Sequence, residues 1–288
     1  MADSGTTRRA TTSRLPLVSI VTPSLNHARF IRQAIDSVLE QDYPALEYVV
    51  IDGGSQDGTL DILESYGSRV SWSSEPDSGQ TEALTRGFAS TRGHIIGWLN
   101  SDDALCPGAV TSAVNALIQN PDAGLVYGMG TVIDEFGRTS APYPWTQPFD
   151  RQQLIRETDF VLQPAAFFRR DVFDAAGGLD HGLQYAFDWD LWIRLTYVAD
   201  AVFLPEILAC TRLWDGTKTS RGGWSRVREL SRVASRHAGS AVTPMVRREL
   251  VTLLSSPICR RLPARLHSSM AAFARRVTGT HAPVSAGR

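Results

Sequence analysis

The chain has little of what would make a metal-clamped, disulfide-framed or membrane-spanning protein. Only three of its 288 residues are cysteine, Cys106, Cys210 and Cys259, and no two of them share a CxxC spacing. That spacing argues against a zinc site or a disulfide framework and fits a reducing compartment. No uninterrupted apolar run approaches the ~20 residues of a membrane-spanning helix. Residues 1–14 are rich in Ser, Thr and Arg and lack an apolar core, so they read as a disordered lead-in rather than a signal peptide. A GxGxxG spacing is missing, which argues against a dinucleotide site. The six histidines are scattered without metal-ligand spacing, and no nucleophile elbow supports a Ser/His/Asp triad. There is no internal repeat.

What remains is an ordinary globular composition, 43% hydrophobic and 20% charged, at a length that allows one large domain or two small ones. The net charge of −1 conceals a split. Residues 221–288 hold 13 Arg, no Lys and only Glu229 and Glu249, whereas residues 1–220 hold 16 basic and 28 acidic residues. An acidic body with a basic tail points to an anionic partner for the tail. The stripe Arg228, Arg232, Arg236 suits a solvated helix face, or an amphipathic surface on anionic lipid with Trp224 at the interface. Nucleic acid is disfavoured, because the body is acidic and no aromatic platform lies between the arginines.

Short apolar β-branched runs alternate with helical periodicity along the first half. Strands are expected over 17–22, 48–51, 70–73 and 94–99, and helices over 28–41, from 57, from 80 and over 110–118. Such alternation implies a mainly parallel sheet with helices on both faces. Further short strands are expected over 125–127, 131–133, 163–168, 201–204 and 207–212, with a helix from 185 to 197. Helical pieces follow from 222, over 245–254 and over 263–277.

In such a sheet, ligands bind beyond the carboxyl ends of the strands. Thr22, Pro23, Asn26, Asp52, Asp77, Asp102 and Asp103 all belong on that rim. The adjacent carboxylates of Asp102 and Asp103 suit a hard cation that bridges phosphates, although a solvated turn near a helix start would use them equally well. Asp52 can accept from a base N–H beside glycines that admit a ligand, or can simply make a turn. Asp188 lies between Phe187 and Trp189, where partial burial would raise its pKa toward that of a useful base. As acids at a helix start, Asp188 and Asp190 also complement the helix dipole.

In order, these segments resemble the family 2 glycosyltransferases of the GT-A fold, in the branch found in bacterial O-antigen and exopolysaccharide clusters. The series runs Val18-Ser19-Ile20-Val21-Thr22-Pro23-Ser24-Leu25-Asn26, then Val50-Ile51-Asp52-Gly53-Gly54-Ser55-Gln56-Asp57-Gly58-Thr59. It continues through Ser74-Glu75-Pro76-Asp77-Ser78-Gly79-Gln80 and Gly97-Trp98-Leu99-Asn100-Ser101-Asp102-Asp103. Gln163-Pro164-Ala165 and Phe187-Asp188-Trp189-Asp190-Leu191-Trp192 close it. The resemblance implies an α/β GT-A domain over 16–220, preceded by the lead-in at 1–15 and followed by an Arg-rich helical extension over 221–288.

By this resemblance, Thr22, Pro23, Asn26, Asp52, Asp77, Gln80, Ser101 and Asp102 would bind the donor nucleotide, with Asp52 on a uracil-type base. Asp102 and Asp103 would hold Mg²⁺ or Mn²⁺, and Arg212 and Lys218 would neutralise the diphosphate. Gln163, Trp189 and Asp190 would shape the sugar and acceptor pockets, and Asp188 would be the base of an inverting displacement. The donor would be a nucleotide-diphosphate sugar, UDP-linked by preference. The acceptor would be a surface-polysaccharide or lipid-linked glycan, reached from the cytoplasm or from the inner face of the plasma membrane.

Two positions depart from the family pattern. Asn100 replaces the first Asp of the common DxD, and Trp214 stands where relatives often carry a metal-binding His. Trp offers no lone pair to a metal. A catalytically silent nucleotide-sugar-binding or scaffold subunit is the alternative. A sugar nucleotidyltransferase is disfavoured, because Pro23-Ser24-Leu25-Asn26-His27 is not a Gly- and Lys-rich phosphate loop.

Overall fold

The computed structural model describes residues 15–255. The lead-in, the helix expected over 263–277 and the arginines of 260, 261, 275 and 276 lie outside the described residues. The first half alternates strand and helix: β1 (Val18–Ser24), α1 (Ile31–Leu39), β2 (Leu46–Asp52), α2 (Thr59–Ser65), β3 (Ser71–Ser74), α3 (Gln80–Ser90) and β4 (Ile95–Trp98). A two-residue β5 (Ala104–Leu105), α4 (Ala109–Gln119) and the long β6 (Ala123–Ile133) follow. Next come β7 (Thr139–Pro142), α5 (Arg151–Arg156), β8 (Ala166–Arg169) and α6 (Arg170–Ala175). The described chain closes with α7 (Phe187–Val198), β9 (Asp200–Arg212), α8 (Lys218–Arg221), α9 (Gly223–Ala238) and α10 (Pro244–Ser255).

One sheet runs β3-β2-β1-β4-β8-β6-β9-β5, with β7 added to β6. The strands β1 to β4 are mutually parallel. β8 is antiparallel to both β4 and β6, and β9 is parallel to β6. Side-chain alternation assigns the two faces. Ile20 and Val50 meet α1, α2 and α4 on one side, while Val21, Ile51 and Trp98 meet α3, α6 and α7 on the other. Helix α1 buries Ile31, Ala34, Ile35 and Val38, the single stripe its i, i+3, i+4, i+7 spacing requires.

Several expectations change. Residues 125–127 and 131–133 are one strand, and 201–212 likewise, with the register shifting by a bulge near Met129. Gln163–Ala165 is a 3₁₀ turn before β8, because Pro164 has no N–H for a ladder. The packing does not break at residue 220. Leu230, Val233 and Ala234 of α9 and Met245 and Val246 of α10 enter the same core as Trp192. Each large apolar side chain buried there stabilises by about 1.5–3 kcal/mol, enough to hold α9 on the domain. The arginine stripe is partly committed as well. Arg232 donates to the Gly182 carbonyl, and Arg236 pairs with Asp180 and Asp190.

Candidate active site

The carboxyl ends of β1, β2, β3 and β4 lie side by side, with Ser24 opposite Asp52 and Asp52 opposite Ser74. Asp52 is fully buried there. Its Oδ2 accepts from the Gly54 N–H (3.0 Å), the Ser55 N–H (2.8 Å) and the Ser74 hydroxyl (2.7 Å), and its Oδ1 from the Ser55 hydroxyl (2.5 Å). This carboxylate, expected from the sequence to meet a uracil-type base, spends both its oxygens in this structure on the 53–55 loop and Ser74. A Cβ on Gly53 would meet Asp77 Oδ2 at 2.7 Å, so the glycine admits Asp77 against the same loop. Asn26 holds the facing loop at φ 53°, its side-chain oxygen accepting from the Gln56 N–H at 2.8 Å. Thr22 is buried and accepts from the Tyr48 hydroxyl at 3.0 Å, and Pro23 beside it is also buried.

Beyond β4 the acids separate. Asp103 is buried and turns inward, accepting from the Arg212 N–H (2.9 Å) and the Asn100 side-chain amide (3.2 Å). Burial first, then the charge of Asp102, push its pKa up to about 8 against the pull of those donors. Asp102 stays half-exposed, and its Oδ2 accepts the Trp214 indole N–H at 3.0 Å. Trp214 packs on Phe30 (4.9 Å between rings) and His27 (6.0 Å), and His27 Nδ1 meets the Ser101 hydroxyl at 2.6 Å. Among the described residues no three His, Cys, Asp or Glu side chains converge as a metal cage. A donor set of one outward carboxylate fits a cation that arrives on phosphate oxygens, which is the ordinary way Mg²⁺ is held.

A polar relay crosses the rim. Lys218, the only lysine in the chain, donates to Gln80 Oε1 at 3.0 Å. Gln80 donates to Asn100 Oδ1 (2.6 Å), Asn100 to Gln163 Oε1 (2.8 Å), and Gln163 to the Trp98 carbonyl (2.7 Å). Every bond points away from the ammonium, so the chain is polarised in one sense. It also accounts for Asn100. A carboxylate there could accept from Gln80 but could not donate to Gln163 or to Asp103. We expect Asn100→Asp to destabilise the fold by about 1–3 kcal/mol, read by urea unfolding. Part of the loss should return at acidic pH, where a protonated Asp regains a donor; an unchanged midpoint at every pH would exclude the relay.

Lys218 lies over the rings of Phe187 (5.1 Å) and Tyr185 (5.8 Å). Desolvation there lowers its pKa, while Asp188, Glu229 and Asp77 oppose the shift. Asp188 is the second residue of α7, and its Oδ1 accepts the Trp189 N–H at 2.8 Å. Burial raises its pKa, with that N–H, Arg226 and Lys218 pulling the other way. Asp159 comes within electrostatic reach of it from the loop before the 3₁₀ turn. Burial, and then the Asp188 charge, hold Asp159 well above the ordinary carboxylate range. No spacing in the sequence marks Asp159, whose partner lies on a distant helix. The Tyr143 hydroxyl feels both acids, which places it in the same cluster.

Three expected site residues have other work. Arg212 is buried, donating to the Asp102 and Asp134 carbonyls and to Gln33 Oε1 while its guanidinium lies 4.8 Å from the Phe30 ring centre. Its charge is spent on joining β9 to the acid turn, and of the two expected cations only Lys218 reaches the rim. Trp189 is 1% exposed and donates to the Leu154 carbonyl, so it is core and not pocket wall. Asp190 is fully buried, bound by Arg194 (2.7 Å), Arg236 (2.9 Å) and His237 (3.0 Å). It cannot face an acceptor.

An open α/β sheet with its polar residues gathered on the carboxyl rim, extended by a mixed-strand half, is a GT-A architecture. The Staphylococcus aureus TarS structure in complex with UDP-GlcNAc matches 90% of this chain and 71% of its own (TM-score 0.63, 16% identity). The mannosyltransferase PcManGT of Pyrobaculum calidifontis, in complex with GDP-Man and Mn²⁺, matches 94% and 77% (TM-score 0.61, 20% identity). Residues 19–177 match the model of glycosyl transferase family 2, and the chain belongs to that family. An uncharacterized glycosyltransferase of Rickettsia typhi is 30% identical over 71% of the chain and 66% of its own length. The O-antigen biosynthesis protein RfbC of Myxococcus xanthus is 31% identical over 80% of the chain but only 19% of its own length. The chain thus spans two thirds or less of these curated relatives.

Proposed function

We propose that the protein is an inverting glycosyltransferase that moves a sugar from a nucleotide-diphosphate donor, UDP-linked by preference, to a glycan hydroxyl. The observation that carries this reading is the Asp188 carboxylate at the start of α7, within electrostatic reach of the Lys218 ammonium that Gln80 ties to the rim of a family 2 fold. The nucleotide lies over the loops of Thr22, Pro23 and Asn26, with Asp52 fixing the 53–55 backbone and Asp77 and Gln80 on its ribose and phosphate side. Ser101 bonds His27, His27 packs on Trp214, and the Trp214 indole orients Asp102. Asp102, with Asp103 buried behind it, would hold Mg²⁺ or Mn²⁺, and the cation would supply neutralisation of the leaving diphosphate.

The acceptor oxygen attacks the anomeric carbon from the face opposite the diphosphate. As the new glycosidic bond forms, the bond to the phosphate oxygen breaks and the hydroxyl proton passes to Asp188. Lys218 offsets charge on the departing nucleoside diphosphate. Two like charges in reach of each other cannot both ionise easily, so Asp159 retains a proton and leaves Asp188 as the base. Gln163, fixed by the relay, borders the sugar. The likeness to an O-antigen biosynthesis protein supports a surface-polysaccharide or lipid-linked acceptor. No described helix is long and apolar enough to cross a membrane, and the exposed Arg228 and Trp224 leave an anionic membrane surface as the proposed partner of α9.

Thermal-shift titration with UDP, GDP and dTDP, each with and without Mn²⁺, tests this reading. A nucleotide at about 100 times its Kd should stabilise the fold by roughly 2.7 kcal/mol. We expect the shift with UDP and its enhancement by Mn²⁺. Trp214→His replaces the indole donor on Asp102 with a metal ligand and should tighten Mn²⁺ binding, measured directly by electron paramagnetic resonance. A UDP shift without catalysis under any condition would favour the silent binding subunit. No shift with any nucleotide would exclude the donor site.

A further inference from the structure

We propose that Cys106 and Cys210 are a redox-active dithiol that closes to an intramolecular disulfide and so alters the turn carrying Asp102 and Asp103. Strands β5 and β9 are antiparallel, with Ala104 opposite Cys210 and Leu105 opposite Ala209, and the Cys106 N–H donates to the Leu208 carbonyl at 2.8 Å. The two cysteines are therefore diagonal neighbours on one face, within mutual reach. Their sulfurs are 3.9 Å apart, both thiols are free, and both residues are half-exposed. A disulfide needs an S–S separation of about 2.05 Å, so closure requires a small shift of one strand end.

The two thiols have different chemistry. The hydrogen bond from Cys106 pulls the Cys210 thiol down to about 7, with the Arg212 charge helping and burial opposing. That same bond, together with burial, pushes Cys106 up. Cys210 is thus the attacking thiolate and Cys106 the resolving thiol. The Cys210 thiolate attacks a low-molecular-weight disulfide such as oxidised glutathione, breaking its S–S bond and releasing one thiolate. Cys106 then gives its proton to solvent and attacks Cys210 Sγ, expelling the second thiolate. The protein loses two electrons and two protons, and the small disulfide becomes two thiols.

Both strands lead straight to the acid turn. β5 follows Asp103 directly, and two residues beyond Cys210 the Arg212 N–H and Nε hold Asp103 Oδ1 and the Asp102 carbonyl. A covalent link at this foot fixes the turn in a new position. This consequence rests on the donor-site reading given above, whereas the thiol chemistry does not.

The test uses the full chain carrying Cys259→Ser, whose third cysteine lies outside the described residues. The reduced protein is exposed to oxidised glutathione, quenched by alkylation and mapped by peptide mass spectrometry. We expect a Cys106–Cys210 disulfide within each monomer, reversed by dithiothreitol. Adding Cys106→Ser should leave a stable glutathione adduct on Cys210, and adding Cys210→Ser should leave Cys106 unmodified. In the same samples, UDP affinity with Mn²⁺ should weaken severalfold on oxidation and recover on reduction. Two free thiols, a persistent adduct beside a free Cys106, or only intermolecular links would overturn the dithiol. A disulfide with unchanged UDP affinity would overturn its coupling to the turn. A disulfide in a chain that binds UDP in neither state would instead sink the donor-site reading.

Discussion

Asp188→Asn should lower sugar transfer by about 10²–10⁴-fold, the usual worth of a positioned general base, while UDP affinity changes little. The amide keeps the shape of the side chain and can still accept the Trp189 N–H, but it cannot take the acceptor's proton. Stability should move the opposite way from activity. The folded pKa of Asp188 lies above that of a free aspartate, so the folded state binds more protons than the unfolded one between the two values. This group's contribution therefore falls as pH rises through that window, and at neutral pH the buried anion is a net cost. The variant should melt at the same temperature as the parent or higher. The parent's kcat/KM should rise along an acid limb displaced above the ordinary carboxylate range, as Asp188 loses its proton. Transfer by the variant at the parental rate would remove Asp188 as the base; a fall in both Tm and UDP affinity would mark it as a folding residue.

Asp190→Ala should have the largest effect on stability, about 3 kcal/mol, the lower end for breaking a buried ion pair. The lower end is chosen because the Arg236 side chain is 43% exposed and screened by water. Arg194 and His237 are more enclosed, with side chains 18% and 6% exposed. Burial alone would raise the Asp190 pKa, yet hydrogen bonds from His237 and Arg194 hold it below the ordinary value. Its contribution is therefore present at neutral pH and lost as pH falls through that depressed pKa. The alanine variant should lose stability at neutral pH and show a weaker dependence on acid than the parent. Denaturant unfolding across that pH range reads both effects. Since Asp190 ties α7 to α9, α9 amides should also exchange with solvent faster. An unchanged unfolding midpoint would mean that the apolar contacts of Leu230 and Val233 hold α9 without it.

The two neighbouring aspartates of α7 illustrate what a sequence carries. Asp188 and Asp190 look alike as acids at a helix start, but two residues along a helix is about 200° of rotation, so they face opposite ways. Asp188 lies within electrostatic reach of Lys218 and Asp159, and Asp190 is bound by Arg194 and, from α9, by Arg236 and His237. The direction of each was readable only once α9, which follows them in the chain, had docked. Arg212 misled for the same reason. A cation after the last long strand reads as a phosphate ligand, and only the pairing of β9 with β5 shows its guanidinium consumed by the acid turn.

By itself the sequence determined the alternation of strands and helices through β4, the collection of Asp52, Asp77, Asp102 and Asp103 beyond the carboxyl ends of the strands, and the position of Asp188 at a helix start. Those follow from local periodicity and from short motifs, in which each residue's neighbours in sequence are also its neighbours in space. The tertiary structure alone decided the Lys218–Gln80–Asn100–Gln163 relay, the Asp159–Asp188 cluster, the seat of Trp214 on Asp102, the Cys106–Cys210 pair and the docking of α9 and α10 into the core. Each of these joins residues from separate elements. Which partners meet is set by the order of strands in the sheet, and strand order is a balance of many long-range contacts that no single stretch of chain encodes.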